Sequence, residues 1–124
     1  MFKVLIVEDR KAVRDIIVEF LKILGFEVDA TFSGEKAWDF FCQNDYSLAI
    51  IDGELPDIEG PELVKRMKKQ SPSLLTIGIS GLNYKTAFLK AGADAYLAKP
   101  FTFEELREVL ISVEIIPFKR VVSA

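Results

Sequence analysis

Five charged or hydroxyl-bearing side chains stand directly after segments rich in apolar residues along this 124-residue chain. Glu8 and Asp9 follow the first segment, Asp52 the third, Ser80 the fourth and Lys99 the fifth. Carboxylates that are crowded together repel one another, and a hard cation with oxygen ligands, such as Mg²⁺, removes that repulsion. A cation, an ammonium and a hydroxyl around one carboxylate suit a phosphoryl group, which that carboxylate accepts as an acyl phosphate. The residue types therefore predict phosphoryl-transfer chemistry if the fold brings them together.

Strand-like and helix-like segments alternate five times, which predicts an α/β fold with a parallel sheet and helices on both faces. The strands are expected at residues 2–7, 26–32, 48–52, 74–79 and 95–98. The second of them alternates apolar and polar residues, as an edge strand does. Because the carboxyl ends of parallel strands lie at one edge of the sheet, the five side chains are expected to share a small pocket there.

The predicted helix boundaries carry their own signals. The clearest amphipathic pattern covers residues 10–24, and Gly25 follows it where a left-handed cap is favoured. Pro61 suits the first turn of the third helix, and Thr102 with Glu105 forms a capping box at the start of the last. These signals predict where the connections between strands and helices lie.

The composition excludes several functional classes. The net charge of −3 argues against a broad nucleic-acid interface, and the absence of histidine excludes histidine triads, imidazole metal sites and a phosphohistidine carrier in this chain. Neither glycine-rich nucleotide-binding motif is present. Cys42 is the only cysteine, which excludes an internal disulfide. With no leader-like or membrane-spanning apolar run, a cytoplasmic location is expected.

Taken in order, the motifs resemble those of the receiver domains of two-component response regulators. The resemblance extends from residue 2 to about residue 116. Four features carry the resemblance. They are the acidic pair Glu8-Asp9, the Asp-x-x-x-Pro-x-x-x-Gly segment formed by Asp52, Pro56 and Gly60, the hydroxyl of Ser80, and the pair Lys99-Pro100. It implies a doubly wound, flavodoxin-like sheet of five parallel strands in the order 2-1-3-4-5. Residues 1–116 would form the receiver domain, and residues 117–124 a C-terminal tail or the start of a linker.

The resemblance also implies roles for the acidic residues. Asp52 would be the phosphoacceptor. Glu8, Asp9 and Asp52 would hold Mg²⁺, with the backbone carbonyl of Glu54 as a further ligand. The domain would not be a conventional enzyme, because it would catalyse only its own phosphorylation and dephosphorylation.

Three further residues are assigned by the same resemblance. Ser80 would hydrogen-bond the phosphoryl group, and Lys99 would pair first with Asp52 and then with a phosphoryl oxygen. Lys99 would be joined to Pro100 by a cis peptide bond. Tyr96 would be an aromatic switch whose inward or outward orientation follows Ser80.

The partners that the resemblance implies are proteins. A sensor histidine kinase or a phosphotransfer protein would supply the phosphoryl group, and a downstream protein target or an effector domain would receive the signal. The resemblance also admits a homodimer. Neither direct nucleic-acid binding by this chain nor a membrane is expected.

One segment departs from the family pattern. The stretch from Ser80 to Lys99 is about three residues shorter than usual, and the missing positions fall between Ser80 and Ala87. We therefore expect a fourth helix that is short or begins late.

Two alternative functions stay open at this point. The first is a receiver-shaped interaction module that is never phosphorylated; the full set of acids, hydroxyl and lysine argues against it, while the shortened segment keeps it open. The second is an aspartyl-phosphate hydrolase, because Asp52-Gly53-Glu54 superficially resembles the paired acids of haloacid-dehalogenase-type phosphatases. In those enzymes, however, the pair follows the first strand and a larger chain supplies a cap.

Overall fold

The computed structural model describes residues 2–116, in which five strands and five helices alternate along the chain. The strands are β1 (Lys3–Val7), β2 (Glu27–Thr31), β3 (Leu48–Asp52), β4 (Leu75–Ser80) and β5 (Ala95–Ala98). The helices are α1 (Lys11–Ile23), α2 (Gly34–Gln43), α3 (Gly60–Gln70), α4 (Lys85–Ala91) and α5 (Phe103–Ser112). The predicted tail, residues 117–124, lies outside the described residues.

All the strands pair in parallel, in the order β2-β1-β3-β4-β5, which confirms the predicted fold class. The central strands are continuous apolar runs because helices cover both of their faces. Along β1, Val4 and Ile6 face the core beneath α1 and α5, whereas Leu5 and Val7 face the core beneath α2, α3 and α4. The strand β2 lies at the edge, as its alternating sequence predicted.

The helix boundaries follow the local signals. Gly25 and Gly92 adopt left-handed φ angles of +91° and +106° after α1 and α4. Pro61 lies in the first turn of α3, and Thr102 with Glu105 forms both hydrogen bonds of the capping box of α5. Capping of this kind stabilises a helix by about 1 kcal/mol. Pro61 and Thr102 lie in connections that leave the carboxyl edge of the sheet, whereas Gly25 and Gly92 lie in connections that return to its amino edge.

Helix α4 is short, as the shortened segment predicted. It has seven residues and begins at Lys85. Among the described residues, the longest helix is α1 with 13 residues, and no helix is both long and apolar enough to cross a bilayer.

Candidate acidic site at the carboxyl edge of the sheet

The five side chains singled out from the sequence do lie at one edge of the sheet. The carboxyl ends of β1, β3, β4 and β5 surround a cleft of about 680 Å³. Asp9, Asp52, Ser80 and Lys99 line it, and Glu8 lies directly beneath, with its side chain fully buried. The parallel register is the reason for this grouping, because each strand delivers its last side chain to the same edge.

Lys99 lies between two buried carboxylates. Its Nζ is 2.9 Å from Oδ1 of Asp52 and 2.6 Å from Oε1 of Glu8. The resemblance implied the first of these contacts, but the second was not foreseen. The Lys99 backbone N–H donates to the carbonyl of Ser80 at 2.8 Å, and the Lys99–Pro100 peptide bond is cis. The backbone hydrogen bond to Ser80 therefore keeps Lys99 beside both acids.

Glu8 is held at several atoms. Its Oε2 accepts a hydrogen bond from the backbone N–H of Arg10 at 3.0 Å, while Oε1 accepts from Lys99. The Arg14 guanidinium donates to the Glu8 backbone carbonyl at 2.9 Å from the first turn of α1. Sequence reasoning missed Arg14, since a basic residue in an amphipathic helix carries no signal that it turns back toward the preceding loop.

Three carboxylates meet at the floor of the cleft. One oxygen each of Glu8, Asp9 and Asp52 lies within 4.8 Å of the other two, and Asp9 is exposed to solvent. Glu54 lines the same cleft, and its backbone pairs with that of Glu59 across the loop that follows β3. This donor set consists of oxygens and carries more negative charge than Lys99 neutralises, so it fits a hard divalent cation such as Mg²⁺.

The pKa shifts have the same electrostatic origin. Burial raises the pKa of the Asp52 carboxyl, the hydrogen bond from Lys99 opposes this rise, and the charge of Asp9 adds to it. Burial likewise raises the pKa of Glu8. Burial alone would lower the pKa of Lys99, but its hydrogen bonds to Glu8 and Asp52 raise it. The lysine therefore stays charged, and the two carboxylates gain from an added cation.

Ser80 and Tyr96 meet at the side of the cleft. Ser80 is buried at the end of β4, and its Oγ accepts a hydrogen bond from the backbone N–H of Leu82 at 3.0 Å. The half-buried Tyr96 donates its hydroxyl to the carbonyl of Leu82 at 2.9 Å and approaches that of Ser80 at 3.3 Å. One short segment thus contacts both the site hydroxyl and the aromatic side chain assigned as a switch.

The loop after β3 makes two contacts that sequence reasoning also missed. Asp57 accepts hydrogen bonds from the backbone N–H groups of Gly34 and Glu35, which begin α2, at 2.9 and 2.8 Å. The ring of Tyr84 lies against Gly53. An acid in a turn and a glycine beside a buried strand are too common to predict such long-range contacts.

The order of the strands defines a flavodoxin-like domain, and an acid–lysine cluster lies at the carboxyl edge of its sheet. Residues 4–111 match the family model of the response regulator receiver domain, and the chain belongs to this family. It is therefore a receiver domain of two-component signalling. Receiver domains bind Mg²⁺ at an acidic pocket, and the cluster described above is consistent with that property.

Named relatives agree with this assignment. The chain is 36% identical over 107 residues to the transcriptional regulatory protein CusR of Escherichia coli K12, a match that covers 84% of this chain and 47% of CusR. It thus spans about half the length of the curated relatives it matches.

Two solved structures extend the likeness to the fold. A CheY-like receiver domain from Methanospirillum hungatei has a TM-score of 0.85 at 31% identity, with 90% of this chain and 92% of that chain covered. The response regulator TrrA of Thermotoga maritima, in complex with Mg²⁺-BeF, has a TM-score of 0.84 at 31% identity, with 90% and 98% covered.

Proposed function

We propose that Asp52 accepts a phosphoryl group from the phosphohistidine of a sensor histidine kinase or a phosphotransfer protein. An Asp52 oxygen would attack phosphorus, the bond from phosphorus to the imidazole nitrogen would break, and the nitrogen would leave with the electron pair. The observation that supports this proposal most strongly is the placement of Asp52. Its carboxylate is almost fully buried at an open cleft, beside one lysine and two further acids.

The neighbouring residues would divide the remaining work. Glu8, Asp9, Asp52 and the backbone carbonyl of Glu54 would hold Mg²⁺, which neutralises carboxylate and phosphoryl oxygens when bound. Lys99 already lies 2.9 Å from the Asp52 carboxylate, so its ammonium is placed to follow the charge onto a phosphoryl oxygen. These groups act electrostatically, and Asp52 alone forms a covalent bond.

Ser80 and Tyr96 would couple phosphorylation of Asp52 to a conformational change at the protein surface. A hydrogen bond from the Ser80 hydroxyl to the phosphoryl group would alter its present contact with the Leu82 N–H. Because Tyr96 is bonded to the carbonyl of Leu82, its ring would respond to the movement of that segment. The result would be a change in a protein-interaction surface, read by a downstream target or an effector domain.

The proposed assembly follows from the same family. Residues 1–116 would form the receiver domain, followed by residues 117–124 as a tail or the start of a linker. Relatives such as CusR are named as transcriptional regulators, and the chain matches only 47% of CusR. We propose a cytoplasmic, Mg²⁺-dependent phosphoacceptor that acts through protein partners, a homodimer among them, rather than by contacting nucleic acid itself.

Phosphorylation of the intact chain tests this function. With Mg²⁺ and a small acyl phosphate, intact-mass analysis is expected to show the gain of one phosphoryl group. We expect Asp52→Asn to lower this gain at least about a hundredfold, because the covalent acceptor is lost. Asp39→Asn, which removes an exposed acid on α2, is the matched control and should behave as wild type. Phosphorylation of Asp52→Asn at the wild-type level would refute the assignment.

The short α4 favours a second candidate, an interaction module that is not phosphorylated. That module predicts no effect of Mg²⁺ or of beryllofluoride on the amide NMR spectrum of the chain. The proposed phosphoacceptor predicts shifts centred on Asp52, Ser80 and Lys99. The family match gives no support to the phosphatase alternative.

A further inference from the structure

An aromatic ring occupies the space where the residue after Asp52 would carry a side chain. A Cβ built on Gly53 would lie 2.9, 3.0 and 3.1 Å from Cγ, Cδ2 and Cδ1 of Tyr84. Three such similar distances mean that the face of the ring covers Gly53. The backbone of Gly53 is not in the left-handed region. Glycine is therefore suited to this position by the close approach of Tyr84, and not by an unusual φ angle.

The other sides of Gly53 are already fixed by backbone hydrogen bonds. Its N–H donates to the carbonyl of Ile79 in β4 at 2.8 Å, and its carbonyl accepts from the N–H of Gly60 at 2.9 Å. The Tyr84 ring adds a contact from the segment between β4 and α4. Gly53 is consequently held by β4, by the start of α3 and by Tyr84.

Tyr84 also reaches the far end of the same loop. Its hydroxyl lies 3.4 Å from Oε1 of Glu59, and Glu59 pairs with Glu54 through an antiparallel backbone bridge. Residues 53–60 therefore form a closed loop that Tyr84 contacts at both ends. This loop carries the Glu54 carbonyl that we propose as a ligand of Mg²⁺.

The ring itself has a firm support. The Tyr84 N–H donates to the carbonyl of Leu82 at 3.0 Å, and the Tyr84 carbonyl accepts from the N–H of Phe88 at 2.9 Å. The rings of Tyr84 and Phe88 have centroids 6.2 Å apart, and Phe88 is fully buried. Tyr84 is thus anchored to α4 and, through Phe88, to the core.

We infer that Tyr84 is a positioning residue for the cation site. Its ring holds the Gly53–Glu54 backbone so that the Glu54 carbonyl keeps one orientation toward the cleft. The inference rests on the proposed function, because it takes that carbonyl as a ligand of Mg²⁺. Groups that orient metal ligands typically change metal affinity 10- to 100-fold when they are removed.

The affinity of the full chain for Mg²⁺, measured by titration of amide NMR shifts, tests the inference. We expect Tyr84→Ala to weaken binding by about tenfold, since the loop loses its support. Tyr84→Phe keeps the ring on Gly53 and should bind within about twofold of wild type, because only a long and exposed hydrogen bond is lost. Tyr46→Ala is the matched control. Tyr46 is also half-buried and bonded to a carboxylate, but it contacts Asp29, remote from the cleft.

A double substitution separates positioning from general stability. Gly53→Ala places a methyl group against the Tyr84 ring, so it should weaken Mg²⁺ binding several-fold. In the double variant Gly53→Ala/Tyr84→Ala the methyl group has space. Adding Gly53→Ala to Tyr84→Ala should therefore weaken Mg²⁺ binding no further. Residues in contact show this kind of non-additivity, whereas independent effects would multiply. Thermal unfolding of each variant identifies the temperature at which all of them are folded.

The outcomes are distinct. The inference is wrong, and Tyr84 is only structural, if Tyr84→Ala binds Mg²⁺ with the same affinity as wild type. Tyr84→Leu replaces Tyr84→Ala in this test if the alanine variant does not fold. An equal loss in Tyr46→Ala would also overturn the inference, because the effect would then reflect stability alone. If wild type binds no Mg²⁺, the proposed function loses its metal site and the inference falls with it.

Discussion

Two lysines pair with carboxylates toward opposite ends of the sheet, and their surroundings differ in charge balance. Near the amino end, Nζ of Lys3 lies 3.3 Å from Asp29 and 3.0 Å from Oδ1 of Asn44. The Tyr46 hydroxyl donates to the same Asp29 carboxylate at 2.7 Å. The charges of Lys3 and Asp29 thus balance each other, and their remaining hydrogen-bond partners, Asn44 and Tyr46, are neutral. Both ionic side chains are about a quarter exposed.

At the carboxyl end the charges are not matched. Lys99 faces Glu8 and Asp52, whose side chains are 0% and 5% exposed, and Asp9 is a third acid close by. Burying surplus negative charge is unfavourable unless something binds there. The balanced cluster therefore serves stability, whereas the unbalanced cluster has the surplus negative charge that the proposed cation site requires.

The largest difference is expected when each lysine is replaced by methionine. Without Mg²⁺, Lys99→Met should lower the free energy of unfolding by about 3 kcal/mol, because it leaves two buried carboxylates without a counter-charge. Lys3→Met should cost at most about 1 kcal/mol, since its partner is partly solvated. Urea denaturation measures both values. Equal losses in the two variants would contradict the distinction between the clusters.

Replacing the aspartate partner of each lysine is expected to change the free energy of unfolding in opposite directions. Asp52→Asn should raise the free energy of unfolding by about 1 kcal/mol without Mg²⁺, because it removes a charge whose burial is unfavourable. Asp29→Asn should lower it by about 0.5 kcal/mol, because it removes a satisfied charge. Urea denaturation at pH 7 measures both changes in the free energy of unfolding. Destabilisation by Asp52→Asn would mean that the Lys99 ion pair outweighs the crowding of the acids.

Magnesium provides the control for this pair of variants. A ligand that binds only the folded state stabilises it in proportion to the logarithm of its concentration. Added Mg²⁺ should therefore stabilise wild type and Asp29→Asn alike, and Asp52→Asn much less. An equal response of all three proteins would place the cation elsewhere.

Much of the fold was predictable because its causes are local. Continuous apolar runs mark the buried strands, the alternating run marks the edge strand, and Gly25 and Thr102 mark helix ends. The grouping of the five site residues also followed from the sequence, since a parallel sheet brings all of its strand ends to one edge. Backbone periodicity is sufficient for both inferences.

The side-chain contacts within the site were not predictable in the same way. That Lys99 pairs with Glu8 as well as Asp52 depends on rotamers and on the depth at which Glu8 is buried. The contact of Tyr84 with Gly53 joins two loops whose relative position is set by the short segment before α4. Such contacts depend on distances across the fold, which no spacing along one segment encodes.

Asp57 provides the smallest test, within the loop that follows Asp52. Burial raises the pKa of its carboxyl and is the largest single influence, but the hydrogen bonds from the backbone N–H groups of Gly34 and Glu35, with those of Asp57 and Ile58, together outweigh it and lower the pKa. Because its pKa is lower in the folded state, Asp57 stabilises the fold above its unfolded pKa of about 4, and the contribution is lost as the pH falls through the folded pKa. Asp57→Ala should cost about 0.5 to 1 kcal/mol at pH 7.

Ser33→Ala is the matched control for this pH dependence, since Ser33 caps the same helix by accepting from the N–H of Lys36 at 3.2 Å. The loss of stability caused by Ser33→Ala should be the same at pH 7 and pH 3, because a hydroxyl does not titrate in this range. The loss from Asp57→Ala should instead shrink toward pH 3. A constant difference between Asp57→Ala and wild type would mean that Asp57 acts by shape and not by charge, unlike Asp52 five residues earlier.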